Sequence, residues 1–68
     1  MNDEAFNASL RKFLRTVGVT SQQEIEKAVA AAVADGRLKG NETLQARMVL
    51  TIGEIALTHT TDAEIALE

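Results

Sequence analysis

The stretch GNETLQARMVLTIGEIALTHTT, residues 40–61, decides the fold because its residues fit two different secondary structures. Leu44, Met48 and Ile52 recur at helical spacing, whereas every second residue from Leu44 to Ile52 is apolar, as in a half-buried strand. Much of the stretch is β-branched, and Gly53 interrupts it. Both features disfavour a helix, so we interpret the stretch as strands.

The position of Gly53 and Glu54 predicts how the strands pair. A glycine in the first position suits a two-residue hairpin loop, and such a loop places all the large apolar residues on one face of the sheet. The predicted cross-strand pairs are Ile52 with Ile55, Leu50 with Leu57, and Met48 with His59. With a further loop at residues 61–63, the predicted strands lie near residues 44–52, 55–60 and 64–67. An alternative keeps the strand at 44–52 and has a single hairpin that turns at Thr61–Ala63.

Two helices are predicted before the strands. Apolar residues recur at steps of four, three and four from Phe6 to Val17, which predicts a helix near residues 3–16 that Gly18 ends. Ser21 and Glu24 then form a capping-box pattern, which predicts a second helix near residues 21–35. Gly36 is expected to end that helix, and GRLKGN, residues 36–41, has the composition of a turn-rich connector.

These elements predict an α+β fold of the order ααββ(β). Residues 1–68 form one small domain, in which two N-terminal helices pack on one face of a small antiparallel hairpin or meander.

Composition restricts the chemistry. The chain has no cysteine and one histidine, so it has no disulfide, thiolate metal site or multi-histidine zinc site, and we predict no cofactor. No apolar run is long enough to cross a membrane, and a cytoplasmic protein is expected. Residues 1–47 carry seven bases and six acids, whereas residues 48–68 carry four acids and no base. The acidic C-terminal third argues against broad affinity for nucleic acids.

Residues 17–29, VGVTSQQEIEKAV, suggest a helix-turn-helix unit, and the following hairpin suggests a wing. The second helix would enter the groove with Glu24 and Glu26 against a single Lys27, so a capped helical hairpin is the preferred interpretation. The candidate contact for nucleic acid or an acidic partner is a basic cluster of six residues: Arg11, Lys12, Arg15, Arg37, Lys39 and Arg47. The simpler interpretation of these bases is a solvated helix end and a solubilising loop.

His59 and Asp62, with Ser9 or Ser21, supply the residue types of a catalytic triad, but their spacing does not support one. Ser21 is better explained as a helix cap, and His59 as a strand residue. We therefore predict that the protein is not an enzyme.

The segments FNASLRKFLRTVGVTSQQEIEKAV and GRLKGNETLQARMVL, with the ending EIALE, resemble a family of short uncharacterised proteins found mostly in proteobacteria. The resemblance covers nearly the whole chain and implies a stand-alone domain in a bacterial cytoplasm. It implies no activity and no functional residue.

A two- or three-stranded sheet has open edges, and the segment 44–52 is long, free of proline and charged only at Arg47. We therefore expect a small interaction or accessory module that associates with itself, or with a protein partner, through a sheet edge. The alternative is a winged-helix-like regulator that binds nucleic acid with the basic cluster.

Overall fold

The structure, a computed structural model that describes residues 1–68, contains two compact units, Met1–Arg37 and Leu38–Glu68. The first unit is one α-helix, α1 (Asp3–Ala34). The second is a hairpin of two antiparallel strands, β1 (Thr43–Ile52) and β2 (Leu57–Ala66), joined by a 3₁₀ turn at Gly53–Ile55. The predicted α+β class is therefore confirmed. That the chain is a single domain with its helical part on the sheet stays a prediction.

The prediction of two helices is wrong, because α1 continues through Gly18 and Ser21. The Thr16 hydroxyl donates to the Lys12 carbonyl at 3.0 Å, and the Thr20 hydroxyl donates to the Thr16 carbonyl at 2.7 Å. These bonds satisfy both hydroxyls inside the helix. Gly18 does not adopt a positive φ, so it does not end the helix, and a single interior glycine costs only about 1 kcal/mol.

The ends of α1 are set by local hydrogen bonds. At the start, the Asn2 side chain accepts a hydrogen bond from the Ala5 amide at 3.0 Å and acts as the N-cap. At the end, Asp35 is the C-cap and Gly36 adopts a positive φ of 85°. The Arg37 amide and Nε both donate to the Asp35 carboxylate, which lowers the pKa of Asp35. The predicted end at Gly36 is confirmed.

The first strand agrees with its prediction to within one residue, but the second half of the hairpin differs. The predicted strands at 55–60 and 64–67 are one strand, and neither predicted turn at residues 61–63 forms. Asp62, a common turn residue, lies instead opposite Arg47 and accepts from its Nε at 2.7 Å. This ion pair and the backbone ladder on both sides of it offset the low strand propensity of Asp62.

The hairpin loop is longer than predicted. Gly53 has no positive φ, so the two-residue loop that requires one does not form, and Ala56 takes the left-handed conformation with φ 52°. Ile52 therefore pairs with Leu57 rather than with Ile55, and Leu50 pairs with His59. The predicted register is wrong by two residues. Because side chains alternate with a period of two, the shift leaves the same β1 residues on the apolar face.

The caps of α1 lead to a test of helix continuity. We expect Asn2→Ala to lower the free energy of unfolding of the helix by about 1 kcal/mol, because it removes the acceptor for an otherwise unpaired amide. Ser21→Ala should cost nothing, because Ser21 lies inside the helix and alanine favours that position. Thermal unfolding followed by far-ultraviolet circular dichroism measures both changes. A larger loss for Ser21→Ala than for Asn2→Ala would point to two capped helices.

Candidate functional site

The hairpin places its apolar side chains on one face. The register pairs Leu44 with Ile65, Ala46 with Ala63, Met48 with Thr61, Leu50 with His59, and Ile52 with Leu57. Met48 remains 46 % exposed, and Leu44, Ala46 and Leu50 are half-buried. A two-stranded hairpin has no second layer of its own to cover this face, so the face is the first candidate for an interaction surface.

The opposite face is polar, apart from Val49 and the end residue Ala66, and carries the only ion pair between the strands. Arg47 donates from Nε to Asp62 Oδ1 at 2.7 Å and from Nη2 to Asp62 Oδ2 at 3.3 Å. The Asp62 carboxylate raises the pKa of Arg47. The two-point contact favours this strand register, because slipping the strands would separate both groups, although an exposed ion pair contributes only about 0–1 kcal/mol.

The outer edge of β1 offers unpaired backbone groups. The Leu67 amide donates to the Glu42 carbonyl at 2.9 Å, so Glu42 and Leu67 form a hydrogen-bonded pair just outside the strands. Hydrogen-bonded and non-hydrogen-bonded pairs alternate along an antiparallel ladder. It follows that every second β1 residue directs its N–H and C=O away from β2. These residues are Thr43, Gln45, Arg47, Val49 and Thr51.

His59 and Asp62 lie on opposite faces of the hairpin, because they are three residues apart on one strand. His59 Nε2 is 3.2 Å from the Thr61 hydroxyl oxygen, whereas the Asp62 carboxylate pairs with Arg47. Ser9 and Ser21 belong to α1, in the other unit. The hairpin therefore does not assemble a His–Asp pair, and the absence of enzymatic activity stays a prediction.

The six residues of the predicted basic cluster are divided between the two units. Arg11, Lys12 and Arg15 lie in the first half of α1, where Arg11 and Arg15 are one helical turn apart. Arg37 is bound to Asp35 at 2.8 Å, and Arg47 to Asp62. The two ion pairs partly neutralise two of the six cations. A shared contact surface for all six residues stays a prediction.

The helix-turn-helix interpretation of residues 17–29 is wrong, because the segment lies within α1 and contains no turn. The winged-helix-like alternative thereby loses the element that would enter a DNA groove. The only feature that still supports nucleic-acid binding is the group of bases on α1, Arg11, Lys12 and Arg15. No helix in the structure combines the length and apolar character needed to cross a membrane.

The Glu42 side chain organises the entry to the hairpin, a role that sequence reasoning missed. Its carboxylate accepts from the backbone amides of Lys39 at 2.9 Å, Gly40 at 2.9 Å and Asn41 at 3.2 Å. These amides, first those of Lys39 and Gly40, hold the pKa of Glu42 below its ordinary value. Gly40 adopts a φ of 103°, which a side chain would oppose. The only signal in the sequence is the GNE triplet, a glycine and asparagine turn followed by an acceptor.

Comparison with known protein families matches residues 1–68 to a family of unknown function, DUF6494. The resemblance to a family of uncharacterised proteins is thus confirmed over the whole chain, while a bacterial origin stays a prediction. No curated protein and no solved structure matches the chain.

The Glu42 contacts predict how the hairpin responds to acid. Because the pKa of Glu42 is lower in the folded hairpin than its ordinary value of 4.5, its ionised form stabilises the fold above that pH. The stabilisation is lost as the pH falls through the folded-state pKa. We expect the amide dispersion of β1 and β2 in NMR spectra to decrease below about pH 4.5, and Glu42→Gln to make the pH dependence shallower.

Glu64→Gln is the matched control, because Glu64 lies in β2 and accepts no hydrogen bond from a backbone amide. Equal pH profiles for the Glu42→Gln and Glu64→Gln variants would contradict the role assigned to Glu42.

Proposed function

We propose that this chain, which belongs to DUF6494, is a small interaction module that associates with itself through the outer edge of β1. The observation that carries the proposal is the row of outward-facing backbone groups along a ten-residue strand. Such an edge binds another strand by extending the ladder of main-chain hydrogen bonds. The proposal assigns no catalytic residue and no cofactor, and the cytoplasmic location remains a prediction from the sequence.

The apolar face supports pairing between copies. When two β1 strands pair antiparallel about a two-fold axis, the order of strands becomes β2-β1-β1-β2 and both apolar faces lie on the same side. The result is a four-stranded sheet, which can be stable where an isolated hairpin is marginal. The exposed side chains of Met48, Ile52 and Leu57 then belong to one wider apolar surface.

Charge favours the β1 edge over the β2 edge. β1 carries one charged residue, Arg47, and Asp62 is bound to it. β2 carries Asp62, which is bound to Arg47, and Glu64, which has no ion-pair partner, so pairing two copies of β2 would bring two uncompensated carboxylates together. Like charges on adjacent strands are destabilising. The β1 edge is therefore the one we assign to self-association, and the same edge suits an extended segment of another protein.

A pair of proline variants tests the edge. Val49→Pro removes an N–H that points away from β2, so the hairpin keeps its ladder but loses a donor at its outer edge. We expect the mass in solution at micromolar concentration, measured by sedimentation equilibrium, to fall relative to the wild type. Thr60→Pro is the control, because Thr60 is the partner of Val49 and its N–H points out from the β2 edge.

Both variants introduce the same proline restriction on the backbone. A difference in solution mass between them therefore shows which sheet edge associates, and is not a general effect of proline. An unchanged mass for Val49→Pro would exclude the β1 edge. A monomeric wild type with a sharp cooperative melt would exclude self-association altogether.

A further inference from the structure

The apolar side of α1 is a stripe that repeats every eleven residues along the helix. Three sets of residues are spaced by eleven: Phe6, Val17 and Ala28; Leu10, Ser21 and Ala32; and Leu14 and Ile25. Phe13 lies beside Leu10 on the same side and widens the stripe, and the residue eleven positions after it is the charged Glu24. An eleven-residue repeat has about 3.67 residues per turn, close to a straight helix. Since α1 has no break at Gly18, the stripe stays on one side from Phe6 to Ala32, over about 39 Å at 1.5 Å per residue.

Most of the stripe is open. Phe6 is 53 % exposed, Phe13 48 % and Leu14 52 %, and the one buried residue of the chain is Ala32. Contiguous apolar surface of this kind, rimmed by charged residues, marks a contact with another molecule. A continuous stripe on a long helix is a surface on which a second helix can pack along its whole length.

The sizes of the side chains differ between the two halves of the stripe. The first half carries Phe6, Leu10, Phe13 and Leu14, whereas the second half carries mostly small residues, among them Ser21, Ala28 and Ala32. In a parallel pair, the aromatic rings of two copies would meet at one end and alanines at the other. An antiparallel pair sets Phe6 and Leu10 of one copy against alanines of the other, so that large residues meet small ones towards both ends of the pair.

Gly18 lies at the middle of α1, where neither a close contact nor the backbone conformation requires a glycine. A Cβ added there would meet no atom within 4 Å, and its φ is not positive. Glycine disfavours a helix interior, so its presence needs another reason. The absence of a side chain allows the backbone of a second helix to approach closely. The middle of the helix is where two antiparallel copies are related by their two-fold axis.

Charge also distinguishes the two orientations. Within α1, residues 3–18 contain three bases and two acids, whereas residues 19–34 contain one base, Lys27, and two acids, Glu24 and Glu26. An antiparallel pair places the more basic half of one copy along the more acidic half of the other. A parallel pair places Arg11, Lys12 and Arg15 level with the same three residues of the second copy, and these bases, which lie outside the stripe, repel one another at longer range.

We propose that the apolar stripe of α1 binds a second copy of this chain in antiparallel orientation, with Gly18 near the crossing point. In this register Val17 lies opposite Ser21, Leu10 opposite Ala28, and Phe13 opposite Ile25. The stripe is a separate surface from the β1 edge and adds to the proposed function. A chain with two different two-fold interfaces forms a closed tetramer when the symmetry closes, and an open array of chains when it does not.

Cysteine cross-linking tests the orientation directly, since the chain has no cysteine of its own. Ser21→Cys, nearly isosteric, should cross-link to itself with a short bifunctional thiol reagent. Ala28→Cys alone should not, because two copies of residue 28 lie about 27 Å apart along the antiparallel axis, at 1.5 Å per residue. A mixture of Ala28→Cys and Leu10→Cys chains should cross-link efficiently.

Gln23→Cys is the control, because residue 23 is also near the middle of α1 but lies on the side away from the stripe. Efficient self-cross-linking of Ala28→Cys would overturn the antiparallel orientation. Equal cross-linking of Ser21→Cys and Gln23→Cys would overturn the stripe as the interface.

Solution mass separates this inference from the proposed function. Phe13→Glu places a charge in the stripe at a half-exposed position, so α1 itself should persist by circular dichroism. We expect four or more chains for the wild type, two for Phe13→Glu, two for Val49→Pro, and one for the double variant. Gln23→Glu, a charge on the opposite side, should keep the wild-type mass.

The solution masses of the two variants show which of the two proposed contacts is wrong. If Phe13→Glu leaves the mass unchanged while Val49→Pro lowers it, the helix contact is wrong and the sheet-edge proposal stands. If Val49→Pro has no effect while Phe13→Glu halves the mass, the edge proposal is wrong and the helix contact stands.

Discussion

The pairing register between β1 and β2 is the constraint on which the hairpin surfaces depend. Arg47 and Asp62 meet at its centre, and Ala56 closes the turn in a left-handed conformation. Together they determine which side chains share a face and which backbone groups point outward. A register changed by one residue would bring the polar residues of one strand to the apolar face, and neither the face nor the β1 edge would be suited to binding.

The surface of α1 also depends on the spacing of its apolar residues, with the period of a helix instead of the two-residue period of a strand. The apolar stripe of α1 remains in phase through Gly18, so a continuous helix presents a single surface where two helices would present two shorter ones. Helices in proteins gain most of their stability from packing of their apolar side. Both units of the chain therefore have the same physical property, an apolar surface that the unit cannot cover by itself. This property is the reason for interpreting a member of DUF6494 as an interaction module.

The sequence predicted more about faces than about ends and turns. The alternation from Leu44 to Ile52 identified β1 and its apolar side, and Gly36 marked the end of the helix. Three other interpretations that rested on one turn residue were wrong: Gly18 is inside a helix, Gly53 does not carry the positive φ, and Asp62 is in a strand. Glycine and aspartate permit a turn but do not require one, and a hydrogen-bonded ladder or helix outweighs their weak local preference.

By itself, the sequence determined that the chain is α+β, that β1 has one apolar face, and that neither thiolate nor multi-histidine metal chemistry is available. These conclusions depend on residue type and period, which are local properties. Only the tertiary structure decided the continuity of α1, the ten-pair register of the hairpin, the hydrogen bonds of Glu42 and the ion pairs of Arg37 and Arg47. Each depends on the conformation that the backbone adopts, even where the partners are only one to three residues apart, because hydrogen bonds and ion pairs form only at specific distances and angles.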